Sequence, residues 1–184
     1  MNSGAFGTML EMRPDRFGRG GDHTSFNQEG FTAVRFTEYR EDFNHQHQVV
    51  RVENGIQYGD LPQFVDFNYV ANVARLNAAT LASLASAPAP PTNVRFATRP
   101  DNNSTIAWDA PAGGQVASYE IVWRLTSSPD WEHAVDVGTQ TAATLPESKD
   151  NVIFGVRAVD KQGHRSTPAV PLPQRRPQQS PAAE

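Results

Sequence analysis

The stretch EDFNHQHQ, Glu41 to Gln48, holds two of the chain's five histidines, His45 and His47. On an extended segment residues i and i+2 point to the same side, so both imidazoles can meet one cation. Zinc accepts imidazole nitrogen readily but takes about four ligands, three of them from protein even in a catalytic centre. Spacing alone therefore leaves two readings, a metal pair in need of further ligands or polar residues on a solvated loop. Glu38, Glu41 and Asp42 read most simply as a solvated acidic rim, able at most to attract a substrate ammonium group. His133 and His164 are isolated and read as surface or structural residues. Trp131 reads as an edge or core aromatic, with an exposed ligand platform as the alternative.

Around the histidines the sequence predicts strands at Gly7 to Arg13 and Thr32 to Glu38. A short helix is expected between them, with Asp22 as its cap and Gly30 just past its end. Phe64 to Ala87 contains neither glycine nor proline. Phe67, Val70, Val73, Ala74, Leu81 and Leu84 fall on one side of a 3.6-residue wheel, which predicts an amphipathic helix capped by Asp66. Its apolar face is expected to bury against a partner, at roughly 1.5–3 kcal/mol per large side chain. The order strand, short helix, strand, histidine loop, long helix suits an α/β sheet with helices against it.

Composition narrows the classes. The chain has 184 residues, 38% of them hydrophobic, enough for one large or two small domains. With 16 basic and 20 acidic residues the net charge is −4, which argues against a nucleic-acid partner. There is no cysteine, so disulfides, zinc–thiolate sites and thiol nucleophiles are excluded. No apolar run reaches the ~20 residues that span a bilayer, so no membrane segment is expected. The opening MNSGAFGTMLEM lacks a basic n-region and an apolar h-region and does not read as a signal peptide.

Of the 14 prolines only Pro14 and Pro62 precede residue 88. The stretch ASAPAPPTNV, Ala85 to Val94, reads as a stiff linker. The expected organisation is therefore 1–87, 88–174 and a disordered tail at 175–184. Beyond the linker short strands alternate with turns: NVRF (93–96), TIAW (105–108), SYEIVWRL (118–125), HAVDVG (133–138), TAATL (141–145) and NVIFGVRAVD (151–160). In the last of these Val152, Phe154, Val156 and Ala158 share a face. Such spacing predicts a β-sandwich of about a hundred residues.

These strands resemble a fibronectin type III domain. The resemblance rests on the opening APPTNVRF, on Trp108, on YEIVWR and on VIFGVRAVDKQGHRS. Val152 stands where that family usually has a tyrosine, so the corner hydrogen bond is expected to be missing. The first half resembles another family. RFGRGGDHTSFNQEGFTAVRFTEYREDFNHQHQ is similar to the C-terminal catalytic segment of the two-zinc aminopeptidases, which include bacterial leucyl aminopeptidases and glutamate carboxypeptidase. The motif elements are Gly21-Asp22-His23-Thr24-Ser25-Phe26 and Gly30-Phe31-Thr32-Ala33, with Thr32 in place of a proline. YGDLPQFVDFNYVANVARLNAATLASLA matches the closing helix of that family.

The resemblance implies an α/β remnant, the last strands and C-terminal helix of a zinc-peptidase sheet, followed by an all-β sandwich. It implies His47 as terminal zinc ligand, His45 as the second choice, and Asp22 as a residue that orients the site by hydrogen bonds. In that family two zinc ions and a glutamate base hydrolyse N-terminal peptide bonds of peptide or protein substrates. The family's other ligands and its base lie upstream of the Asp-His segment. Here the residues before that segment contain no histidine, and their only acids are Glu11 and Asp15. The expectation is a chain inactive by itself, with at most partial zinc binding, belonging to an extracellular or periplasmic parent. A separate N-terminal peptidase segment is a conceivable complementing partner. The competing expectation is a non-catalytic binding or adhesion module acting through the sandwich.

Overall fold

A computed structural model of the chain describes residues 6–113 and 116–171. The expected tail at 175–184 lies outside the described residues. The chain divides into two compact units, Met1–Asn77 and Ala78–Glu184, and the division falls within the long helix that precedes the proline-rich stretch.

The first unit departs from the α/β expectation. Neither Gly7 to Arg13 nor Thr32 to Glu38 forms a strand. Both are mostly exposed, with Phe36 and Val34 in solvent, and an isolated extended segment has no ladder to satisfy its backbone. The regular elements ahead of the sandwich are helix α1 (Asp22–Gln28), strands β1 (Arg51–Glu53) and β2 (Ile56–Tyr58), a 3₁₀ turn (Pro62–Phe64) and helix α2 (Phe67–Ser86), whose last turns belong to the second unit.

Helix α1 begins one residue earlier than expected. Gly21 is its N-cap and Asp22 its first residue, without a capping bond from the side chain. Gly30 does stand just past the end, at φ 84°, the left-handed turn that glycine adopts at little cost. β1 and β2 pair antiparallel around Asn54-Gly55, both at positive φ (52° and 78°), a two-residue hairpin of the type this dipeptide favours. At α2 the expected cap is present: Asp66 Oδ1 accepts from the backbone N–H of Asn68 and Tyr69, each at 3.0 Å. The expected burial of its apolar face is not. No residue of α2 is buried, and Phe67 remains 67% exposed.

The second unit contains the two-layer sandwich expected from its alternation. One sheet runs β3 (Thr92–Phe96), β4 (Ser104–Asp109), β7 (Ala142–Leu145). The other runs β6 (His133–Asp136), β5 (Ser118–Leu125), β8 (Val152–Val159), all pairs antiparallel. A seventh strand is reduced to two isolated bridges, Val156 with Ala169 and Val159 with Arg165. The core is built from Ile106 and Trp108 of β4, Tyr119 and Ile121 of β5, and Phe154 and Val156 of β8. These are the alternate residues that the pleat sends to one face. Val152, at the position of the missing tyrosine, packs half-buried against that core.

The outer face of β5 and β8 is covered as well, which alternation alone does not predict. Val122 is fully buried, and a Cβ added at Gly155 would meet Pro168 Cβ at 2.9 Å and the Trp131 ring at 3.1 Å. Gly155 thus leaves the room that Trp131 and Pro168 occupy. Arg124 lies over the Trp131 ring, 5.4 Å from its centroid. Among the described residues, no helix is long and apolar enough to cross a membrane.

Candidate metal centre

The histidine segment is a turn rather than the extended run that the i, i+2 argument needs. The Asp42 carbonyl accepts from the N–H of His45 (3.2 Å) and Gln46 (3.3 Å), and Asp42 Oδ1 accepts from the N–H of Asn44 (3.0 Å). Asp42 therefore organises the turn through its side chain and its carbonyl. The turn is tied to the hairpin, since the Gly59 N–H donates to the Asn44 carbonyl at 3.0 Å. Gly59, at φ 101°, lets the chain pass Val50 so closely that a Cβ there would sit 2.7 Å from the Val50 Cα.

The two histidines have different settings. His45 Nδ1 lies 3.2 Å from Asp42 Oδ2, and its ring stacks on Phe64 with centroids 3.6 Å apart and planes 8° from parallel. Phe64 is delivered by the short 3₁₀ turn Pro62–Phe64 ahead of α2. The His45 side chain is 26% exposed. His47 is exposed, with φ 53°. Asp22 is exposed, and no hydrogen bond or ion pair joins it to either histidine among the described residues.

Glu41 is not part of a solvated rim. Its side chain, 16% exposed, accepts from Arg16 Nη1 at 3.0 Å and from Arg19 Nη2 at 2.9 Å, with a further bond from Arg19 Nη1. The Arg19 hydrogen bonds, helped by Arg16, hold its carboxyl at about 2, well below its ordinary 4.5. The segment Arg16–Arg19 is thereby clamped to the residue next to Asp42.

The buried histidine is one that sequence reasoning passed over. His23 is 9% exposed, and its Nε2 stands 3.0 Å from the Pro14 carbonyl and 3.4 Å from Asp15 Oδ2. Asp15 is held below its ordinary value chiefly by the Arg16 backbone N–H, 2.7 Å from its Oδ1. The signal lay in the Asp22-His23 pair. His23 is the buried residue of α1, next to the exposed Asp22.

Among the described residues, no group of three or more His, Asp or Glu is placed to hold a metal ion. The Asp42–His45 pair is the start of a donor set and falls short of the three protein ligands a zinc centre takes, so these residues do not fit a complete zinc site. The described residues of the sandwich add none. His133 stacks on Trp123 with centroids 5.0 Å apart, and His164 Nδ1 pairs with Asp160 Oδ2 at 2.8 Å. Glu120, buried on the outer face of β5, is neutralised by Arg157 (2.6 Å) and Arg165 (3.1 Å).

No protein-family model matches the chain. Curated fungal proteins do. A "Probable zinc metalloprotease" of Pyrenophora tritici-repentis is 55% identical over 162 residues, covering 88% of this chain and 34% of that protein. One of Pyrenophora teres f. teres is 52% identical over 173 residues, 94% and 36% respectively. One of Pyricularia oryzae is 48% identical over 170 residues, 89% and 34%. Among solved structures, a fibronectin type III domain of human collagen α-1(XX) is 24% identical, with a TM-score of 0.37, over 51% of this chain and 95% of that one. A structure described as a myokine is 20% identical, with a TM-score of 0.36, over 48% and 100%. The chain's curated homologues are thus named as fungal zinc metalloproteases, and it spans about a third of their length.

Proposed function

We propose that these residues are the C-terminal part of a secreted two-zinc aminopeptidase, with a fibronectin-type sandwich behind the peptidase. On this reading they hydrolyse no peptide bond without the rest of the catalytic domain. The observation that carries it is the 55% identity, over 162 residues, to a protein named as a zinc metalloprotease. The Asp22-His23 motif and the histidine turn support the finer assignment to aminopeptidases. The remnant of an α/β sheet takes shape, on this reading, only against the remainder of the domain.

His45 is the better ligand in this reading, reversing the order the motif suggests. A metal-binding histidine characteristically gives its other ring nitrogen to a carboxylate, which fixes tautomer and ring orientation. Asp42 Oδ2 stands 3.2 Å from Nδ1, within reach of that role, and Phe64 holds the ring plane, which leaves Nε2 for a metal. His47 has neither support. Asp22 is kept as an orienting carboxylate of the assembled centre.

The test joins this chain to the remaining two thirds of the Pyrenophora tritici-repentis relative and follows hydrolysis of leucyl-p-nitroanilide with zinc. The chimera should turn over and the chain alone should not. His45→Ala should abolish the chimera's activity, and His47→Ala should leave most of it. Turnover by the chain alone, or loss with His47→Ala and not with His45→Ala, would overturn the corresponding part.

A second reading rests on the sandwich, which has a core of its own and, among the described residues, no group placed to hold a metal ion. It would be a docking module for polymeric substrate. Retention of the chain on insoluble protein or polysaccharide, lost on denaturation, supports this reading, and passage through every such matrix counts against it.

A further inference from the structure

Of the asparagines in the sequence, only Asn102 and Asn103 begin the pattern Asn-x-Ser/Thr, as the overlapping triplets Asn102-Asn103-Ser104 and Asn103-Ser104-Thr105. Both sit in the turn that joins β3 to β4, and Arg99 to Asn103 are all exposed. The turn is shaped by Asp101, whose Oδ1 accepts from the Asn103 N–H at 3.0 Å. Neither asparagine's side-chain amide makes a hydrogen bond within the described residues. Asn103 therefore presents a free Nδ2 at the last position before the strand.

We propose that Asn103 is an acceptor for N-linked oligosaccharide, an inference that rests on the reading of the parent as a secreted protein. The pattern is the acceptor signal of the secretory lumen, and the bulky product demands a surface turn. The Asn103 Nδ2 forms a bond to the anomeric carbon of a lipid-linked oligosaccharide diphosphate. The anomeric C–O bond breaks, Nδ2 loses one proton, and the lipid diphosphate leaves with the bonding electrons. No oxidant or reductant is involved.

Two features select Asn103 over Asn102. Its triplet ends in threonine, the stronger acceptor hydroxyl, and a glycan on one of two adjacent asparagines blocks the other. The fold also sets the timing. In the finished sandwich Thr105 Oγ1 is bonded to Thr144 Oγ1 at 2.8 Å, across the pairing of β4 with β7. That pairing waits for a strand well downstream, so the hydroxyl stays available while the intervening chain is made. Ser104, the hydroxyl of the competing triplet, ends completely buried. The glycan then projects from a turn and costs the core nothing.

The test places the full chain behind a cleavable secretory leader in yeast, with a control Asn-Gly-Thr tag appended to report entry into the lumen. The leader forces entry, so the outcome does not depend on whether the natural parent is exported; that is measured separately by locating the native protein in its fungal host. Enzymatic deglycosylation in heavy-oxygen water converts an occupied asparagine to labelled aspartate. The expected label, besides the tag, is at position 103. Occupancy should persist in Asn102→Gln and drop severalfold at position 103 in Thr105→Ala. A bare turn in chains whose tag is occupied, or label at position 102 in place of 103, would overturn the proposal.

Discussion

The same kind of side chain has opposite fates in the two units. In the sandwich, Trp108, Ile121 and Phe154 come from three strands and meet in one closed core. In the first unit, Phe17, Phe31, Phe43 and Phe67 are all largely in solvent. The units do not differ in the supply of apolar residues. They differ in whether the partner surfaces are present within the described chain. Two sheets that face each other supply one another's cover, whereas a hairpin and a lone helix have faces but no opposing layer. The first unit is held by polar devices instead: Glu41 between two arginines, Asp42 in its turn, and His23 on the Pro14 carbonyl.

The widest gap between the units should appear on truncating a core side chain. Trp108→Ala removes a ring that is 2% exposed and packs edge-on against Tyr119, with centroids 5.5 Å apart. A loss of about 3–5 kcal/mol is expected for the sandwich. Urea unfolding followed by tryptophan fluorescence reads this cleanly, because all three tryptophans lie in the sandwich and Trp123 and Trp131 remain as reporters. An effect below about 1 kcal/mol would mean that this core is not what holds the sheets together.

The sandwich was legible for the reason that it is stable. Alternation in SYEIVWRL and VIFGVRAV is read correctly because each strand has its partner in the chain, and β5 and β8 formed where the pattern put them. The outer face was not legible: Val122 and Gly155 look like ordinary alternation until Trp131 and Pro168 are seen to cover them. In the first unit the capped helix was legible, because Asp66 acts locally. The strands at Gly7 and Thr32 were misread because short apolar runs do not make a ladder without a neighbour. The Asn54-Gly55 hairpin carried a plain local signal and was overlooked in favour of the histidines beside it. The Asp42–His45 pair and the Phe64 stack were out of reach, since they depend on a turn that spacing cannot reveal.

A smaller effect should separate the polar anchoring of the first unit from apolar anchoring. Glu41→Gln removes the charge that Arg16 and Arg19 hold. Because the folded carboxyl sits at about 2 and its ordinary value is 4.5, its contribution is complete above about 4.5 and is lost as pH falls towards 2. At pH 6 the amides of His45 and Gln46 should exchange with solvent faster in the variant than in the parent chain. Near pH 2 the two chains should exchange alike, since comparison at equal pH cancels the intrinsic rate. Equal exchange at pH 6 would show that the arginine clamp does not order the histidine turn.

The smallest effect is the most direct challenge to the comparison. Val70 lies on the apolar face of α2 and is 52% exposed, with the Asp66 carbonyl accepting from its N–H at 3.0 Å. Val70→Ala should change the thermal melt of the helix by no more than about 0.5 kcal/mol. Alanine's better helix propensity offsets the little packing that is lost. Far-UV circular dichroism at two protein concentrations tests this. A cost above about 1 kcal/mol would mean that the face is covered in solution. If that cost grew with concentration the cover would be a second copy of the chain, and if it did not the cover would come from within one molecule. Either result would remove the distinction between a unit closed by its own core and one whose apolar face stands open.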